Sequence, residues 1–251
     1  MTYHEHTDDD DFLLPCPDLV ILPGNNGQIQ RLSIYFEKLC KKYPDAKFIL
    51  NLGMREFLVQ KQFNEIREGL IVRQDFSEFW TKNLYYKHHQ PIELIINDQK
   101  IEIFCTYGYP HISGTVDEKL WKSTSWYRFT YHDYTHNQND FKPKEAADVY
   151  HGHFPIWSTP ELCRQDHDKE FEIVKQWLAN PLSHDSYKIL VTACSPKGDP
   201  CLSGIPYTMY SGIKPDLWVS AGACGVSQMD GCKLYGNSGS GSIARTNYFI
   251  I

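Results

Sequence analysis

The chain has no C-x-x-C pair. Its eight cysteines, Cys16, Cys40, Cys105, Cys163, Cys194, Cys201, Cys224 and Cys232, stand at irregular intervals, which excludes the local zinc-finger spacings and the redox dithiol motif. Also lacking is an apolar run approaching the ~18 residues that would suggest a membrane-spanning helix. The opening Met-Thr-Tyr-His-Glu-His-Thr-Asp-Asp-Asp-Asp is polar and acidic, where a signal peptide would carry a cation followed by an apolar stretch. These absences predict a soluble, cytoplasmic protein with no membrane partner and with reduced, mostly buried thiols. There is no basic excess either: a formal net charge of −6 leaves no electrostatic footprint for nucleic acid. No internal repeat, low-complexity tract or linker interrupts the 251 residues, so residues 1–251 read as one domain with one core.

What is present is a series of short apolar runs punctuated by turns. Asp18-Leu-Val-Ile-Leu-Pro23 reads as a buried strand ending in a Gly24-Asn25-Asn26-Gly27 turn. Ile29, Leu32, Phe36, Leu39, Cys40 and Tyr43 then recur at helical spacing and predict a helix over 28–43, broken by Pro44-Asp45. Lys47-Phe-Ile-Leu-Asn-Leu52 is the next strand, which completes a unit of the size expected for a parallel crossover. A polar helix is expected over 56–70 and a hairpin from strands 92–97 and 100–105, joined at Asp98-Gln99. Residues 106–163, rich in aromatics, histidine and proline, read mostly as loop. A helix over 168–178, closed by Pro181, and strands at 188–193, 216–221, 233–235 and 248–251 complete the pattern. Early alternation of strand and helix followed by consecutive strands predicts an α/β domain with mixed sheets, helices lying outside two facing sheets.

Several ordered blocks resemble the calcineurin-like metallophosphoesterases, most closely the subgroup of metallophosphoesterase-domain proteins. Tyr3-His4-Glu5-His6 falls on the family's S-D-T-H block, and Pro15-Cys16-Pro17-Asp18 leads into the strand that ends at Gly24-Asn25. Gly53-Met54-Arg55-Glu56 is similar to G-N-H-E, and Tyr107-Gly108-Tyr109-Pro110 to Y-G-S/T-P-W/Y. Residues 188–196 and 214–225 resemble the segments that end in T-H-x-P and G-H/G-x-H, and Tyr235-Gly236-Asn237-Ser238 resembles the Y-x-N-x-S after them. The resemblance implies a four-layer sandwich of two facing mixed sheets flanked by helices. Because so little chain precedes His4, the first strand of that fold is expected to be missing or very short.

In that family two metal ions, bridged by an aspartate, position a hydroxide and hold the phosphoryl oxygens. Carried over by position, the first aspartate becomes His4, the first histidine is retained as His6, and the bridging aspartate becomes Asn25. The asparagine ligand becomes Met54, the assisting histidine Arg55, and the late histidines Ala193, Gly222 and Cys224. A neutral amide cannot replace a bridging carboxylate, and Met54 and Ala193 offer nothing to a hard cation. The fixed positive charge of Arg55 makes binding two divalent cations less favourable still.

These losses imply a catalytically inactive homologue, a pseudoenzyme, that needs no cofactor. Arg55 beside Asn25, Asn26 and Asn237 could convert the former phosphate cage into a nucleotide- or phosphate-binding site, with Cys194 and Cys224 lining it. A protein partner is the other occupant expected of such a module. The alternative is residual metal-dependent phosphoesterase activity using one divalent ion, Mn, Zn or Fe, held by His6, His4, Asn25 and Cys224. Outside these blocks, His132-x-x-x-His136 lacks the glutamate of H-E-x-x-H. That pair and His151-Gly-His153 read as loop histidines satisfied by backbone or water. A thiol nucleophile at Cys194 or Cys224 has no histidine selected by spacing to activate it. The glycine-serine run 236–242 is followed by β-like residues, unlike a phosphate loop, and reads as turns.

Overall fold

The computed structural model describes residues 2–5, 17–22, 41–50, 84–85, 89–106, 108–124, 157–192, 205–220, 225–229, 232–236 and 247–250. The expected helix over 56–70, and that over 28–43 apart from its last three residues, lie outside these. Within them, strands β1 (Thr2–Glu5), β2 (Leu19–Leu22), β3 (Lys47–Leu50) and β4 (Leu84–Tyr85) join β13 (Asn247–Ile250) in a five-stranded sheet. Its order is β1-β13-β2-β3-β4. β2, β3 and β4 are parallel, and β13 runs antiparallel between β1 and β2. The strand expected to be missing or very short is thus a four-residue edge strand, paired from Thr2 opposite Ile250 to Glu5 opposite Asn247.

A six-stranded sheet contains β5 (Pro91–Ile96), β6 (Gln99–Thr106), β8 (Tyr187–Thr192), β10 (Leu217–Ser220), β11 (Gly225–Met229) and β12 (Cys232–Gly236). The order is β11-β12-β10-β8-β6-β5, with β6, β8, β10 and β12 parallel and the two outer strands antiparallel to their neighbours. In the hairpin β5–β6 the turn residues are Asn97 and Asp98, with φ of 50° and 62°. Asn and Asp tolerate this left-handed conformation, which matches the twist of a two-residue hairpin. The turn therefore sits one residue earlier than expected, and Gln99 already belongs to β6.

The central strands are buried on both faces, as parallel strands covered on both sides must be. One face of the six-stranded sheet, with Ile101, Ile103, Cys105, Ile189, Val191, Leu217 and Val219, packs against Leu19, Ile21 and Ile49 of the other sheet. Side chains that alternate with these, Phe104, Leu190 and Trp218, face a second cluster with Trp121, Trp157, Cys163, Val174 and Trp177. Each such large apolar side chain contributes about 1.5–3 kcal/mol on full burial.

The helix that covers this second face, α2 (Pro160–Leu178), begins eight residues before the expected start at 168. Thr159 caps it, Pro160 fits the first turn where no N–H is needed, and Cys163, His167, Glu170, Val174 and Trp177 form its buried stripe. A preceding short helix, α1 (Glu118–Ser123), is capped by Asp117. A two-stranded ribbon joins β7 (His111–Ile112) to β9 (Tyr207–Thr208). The stretch expected to be mostly loop therefore contains β7, α1 and the first turn of α2. The observed class is α/β, with two mixed sheets packed face to face and a helix on the outer face of one.

Candidate functional site

All strands that precede the candidate positions point the same way within their sheets. β1 runs antiparallel to β13, which runs antiparallel to β2, so β1, β2 and β3 share one direction. A hydrogen bond from Asn97 Nδ2 to Asp18 Oδ2, 3.1 Å, ties the turn before β6 to the residue before β2. The amino ends of the parallel strands of both sheets thus meet at one end of the sandwich, and their carboxyl ends point to the other. That end is where α/β sheets place ligands.

His4 lies within β1, opposite Tyr248. His6, Asn25, Asn26, Arg55, Cys194, Cys224 and Asn237 lie outside the described residues, as do Met54, Ala193 and Gly222. The described strands that lead to them end at Glu5, Leu22, Leu50, Thr192, Ser220 and Gly236. Among the described residues, no group of three or more His, Cys, Asp and Glu side chains is arranged to hold a metal ion.

The carboxyl edge of the six-stranded sheet is described in detail. Thr106, Thr192, Ser220 and Gly236 stand in one cross-strand row, since Thr106 pairs with Thr192, Thr192 with Ser220, and Ser220 with Gly236. Alternation along each strand puts Thr106, Thr192 and Ser220 on the face of Phe104, Leu190 and Trp218, and all three are fully buried. Thr192 Oγ1 accepts the indole N–H of Trp218 at 3.0 Å. Ser220 Oγ has no hydrogen-bond partner among the described residues.

Beside Thr192 of this row lies the turn at Gly108 and Tyr109. Gly108 has φ of +81°, a conformation that L side chains rarely adopt. A Cβ there would collide with Met209 Cε and lie 3.1 Å from Thr192 Cβ. The turn is fastened by Glu170, a carboxylate that is only 1% exposed. Glu170 Oε1 accepts the Gly108 N–H at 2.7 Å and the Tyr109 N–H at 3.1 Å, while Oε2 lies 3.3 Å from His89 Nε2. These bonds compensate a buried charge that would otherwise be expensive.

Glu170 and His167 were not among the sequence candidates. A signal existed in their spacing with Cys163, Val174 and Trp177, which puts a carboxylate and an imidazole on an otherwise apolar helix stripe. His167 is buried, stacks on Phe171 at 5.6 Å and meets His111 edge-on at 5.1 Å. Burial pushes its imidazole below the ordinary value; the hydrogen bond to the Asp168 carboxylate opposes that shift and His111 adds to it. Burial likewise raises the Cys163 thiol well above its ordinary value, aided by Asp166. Its sulfur instead donates to the Pro110 carbonyl, 3.5 Å away, a structural thiol rather than a nucleophile.

No family model, curated protein or solved structure matches the chain. No helix among the described residues is long and apolar enough to cross a membrane.

Proposed function

We propose that this chain is a degenerate metallophosphoesterase-like domain over residues 1–251, a cytoplasmic pseudoenzyme that binds a nucleotide or phosphate group, or a protein partner, where two metals once acted. The observation that carries this reading is the common direction of the strands β1, β2, β3, β8, β10 and β12, whose carboxyl ends lead to the resembling blocks. A phosphoesterase-type sandwich is consistent with two facing mixed sheets and a helix outside one of them.

At those strand ends the sequence offers His4, His6, Asn25, Asn26, Arg55, Cys194, Cys224 and Asn237. Only His6 is a ligand type that the family uses at that position, and Met54 and Ala193 cannot bind a hard cation. A guanidinium with amide side chains is, by contrast, a donor set suited to phosphate oxygens. The reading therefore needs no metal, and no hydrolytic step is assigned.

The test combines metal analysis of the purified protein, a phosphodiesterase assay with added Mn²⁺, and thermal melting with nucleotides and inorganic phosphate. Expected are no stoichiometric Mn, Fe or Zn, no turnover, and a rise in Tm with a phosphate-bearing ligand that disappears in Arg55→Ala. Turnover that is lost on His6→Ala would overturn the proposal in favour of a residual hydrolase with one metal. A Tm indifferent to every phosphate ligand would remove the nucleotide reading and leave the protein-partner one.

A further inference from the structure

Residues 108–114 form a strap held along α2 by contacts with Cys163, Arg164, His167 and Glu170. Glu170 accepts the Gly108 and Tyr109 N–H groups at 2.7 and 3.1 Å. His167 contacts the His111 ring, and Cys163 donates to the Pro110 carbonyl. Arg164 donates from Nε to the Ile112 carbonyl at 2.8 Å and from Nη2 to the Gly114 carbonyl. On its other side the strap pairs with β9, and the Ser113 N–H donates to the Pro206 carbonyl at 3.0 Å. The strap begins two residues beyond Thr106, at the carboxyl end of β6.

His167 is the least compensated of these fasteners. Its Nδ1 pairs with Asp168 Oδ1 at 3.0 Å, but its Nε2 is buried with no hydrogen-bond partner among the described residues. The groups around it are Asp168 and Glu170 from α2, His111 from β7, and the phenol of Tyr210 after β9, its ring 5.6 Å away. Asp168 is largely exposed, so its attraction is screened by solvent.

We propose that His167 is an acid-operated release for the 108–114 strap, holding it closed when neutral and freeing it when protonated, while the core between the two sheets stays folded. Protonation puts a cation into an aromatic pocket beside a second imidazole and gives Nε2 a proton with no acceptor among the described residues. The neutral form is favoured by burial under the closed strap, so His167 takes up its proton first in the released state as pH falls through about 6.5. The contribution of neutral His167 to strap closure is therefore fully present above that value and declines as pH falls below it. The consequence is acid-dependent access to the turn at Gly108 and Tyr109, which holds whether or not the phosphate-binding reading is correct.

Amide hydrogen exchange, corrected for the intrinsic rate at each pH, tests this in the full chain. Between about pH 7.5 and about pH 5.5 the protection of the Gly108, Tyr109 and Ser113 amides should fall about tenfold or more, with β8 amides such as Val191 unchanged. His167→Phe keeps a ring in the stack and cannot titrate, so its strap should be indifferent to pH within about twofold. His167→Gln, which is also neutral, replaces it if the phenylalanine variant does not fold. The proposal is overturned by a strap whose protection is flat with pH in the parent chain. It is equally overturned by an undiminished fall in the variant, which would take the pH response away from His167, or by a parallel fall in β8.

Discussion

Gly108 concentrates several constraints on one Cα. Its φ of +81° costs an L-residue roughly 1–2 kcal/mol, and the added methyl would have to displace Met209 and press on Thr192. Met209 is a flexible side chain and can give way, whereas Thr192 is on a central strand and holds the Trp218 indole. Gly108→Ala is therefore expected to lower stability by about 2–4 kcal/mol, the strain and the crowding adding together. Urea denaturation of the two proteins at neutral pH measures it, and a loss below about 0.5 kcal/mol, the range of ordinary surface substitutions, would show that the turn can rearrange. Gly114 and Gly212 share the positive φ without neighbours among the described residues within reach of a Cβ, and alanine there should cost mainly the backbone strain.

At the scale of elements, α2 is held at its carboxyl end by an ammonium from the sheet. Lys188, 7% exposed, extends from β8 and donates to the carbonyls of Trp177 and Leu178 at 3.0 Å each, with its charge 5.6 Å from the Trp177 ring centroid. Those carbonyls belong to the last turn, where a cation is favoured; the Trp177 carbonyl also accepts the Asn180 N–H at 3.2 Å. Lys188→Met should cost about 1.5–3 kcal/mol, since the buried carbonyls would lose a charged donor. Lys175→Met should cost less than about 1 kcal/mol, because its pair with Glu172 is half-exposed. Thermal melts of the two variants compare the effects, and equal losses would contradict a capping role for Lys188. Elements were legible where one signal dominated: Leu19–Leu22 and residues 188–192 are continuous apolar runs, and the hairpin alternates. The first turns of α2 were not, because Pro160 reads as a breaker until Thr159 is seen as its cap, and Cys163 and His167 are weak markers of a helix stripe. β11 was missed because a short polar segment becomes a strand only through a partner, here β12, and β1, expected to be missing or very short, forms its four residues against β13. The strand ends of the candidate site could be read from apolar runs. The bond from the Gly108 N–H to the Glu170 carboxylate spans 62 residues and uses a backbone donor, which no residue pattern displays.

For the molecule as a whole, the question is whether the two sheets fold as one unit. Leu19, Ile21 and Ile49 from the five-stranded sheet are fully buried against Ile103, Ile189, Val191 and Val219 from the six-stranded one. Neither sheet could keep that face apolar in water without a large loss of the hydrophobic term, so the inter-sheet layer belongs equally to both. The tie between Asn97 and Asp18 fixes the sheets' relative direction but is exposed, and it contributes little energy beside the apolar layer. Ile21→Ala would leave a cavity there and should cost about 2–5 kcal/mol. If the layer couples the sheets, the loss will appear with the same magnitude in the most protected amides of β2 and β3 and in those of β6 and β8. Native-state hydrogen exchange, following Phe48 and Ile49 in one sheet and Ile103 and Val191 in the other, reads both at once. A decrement confined to β2 and β3 would mean that the six-stranded sheet and α2 form an independent folding unit. That outcome would follow if the second cluster, with Trp121, Trp157, Trp177 and Trp218 around Phe104 and Leu190, could stabilise that sheet from its helix side alone. Strands β6, β8 and β10 supply side chains to both clusters, alternating between their faces, so separating the layers would expose one half of each strand's buried surface. A shared decrement is therefore the expected result.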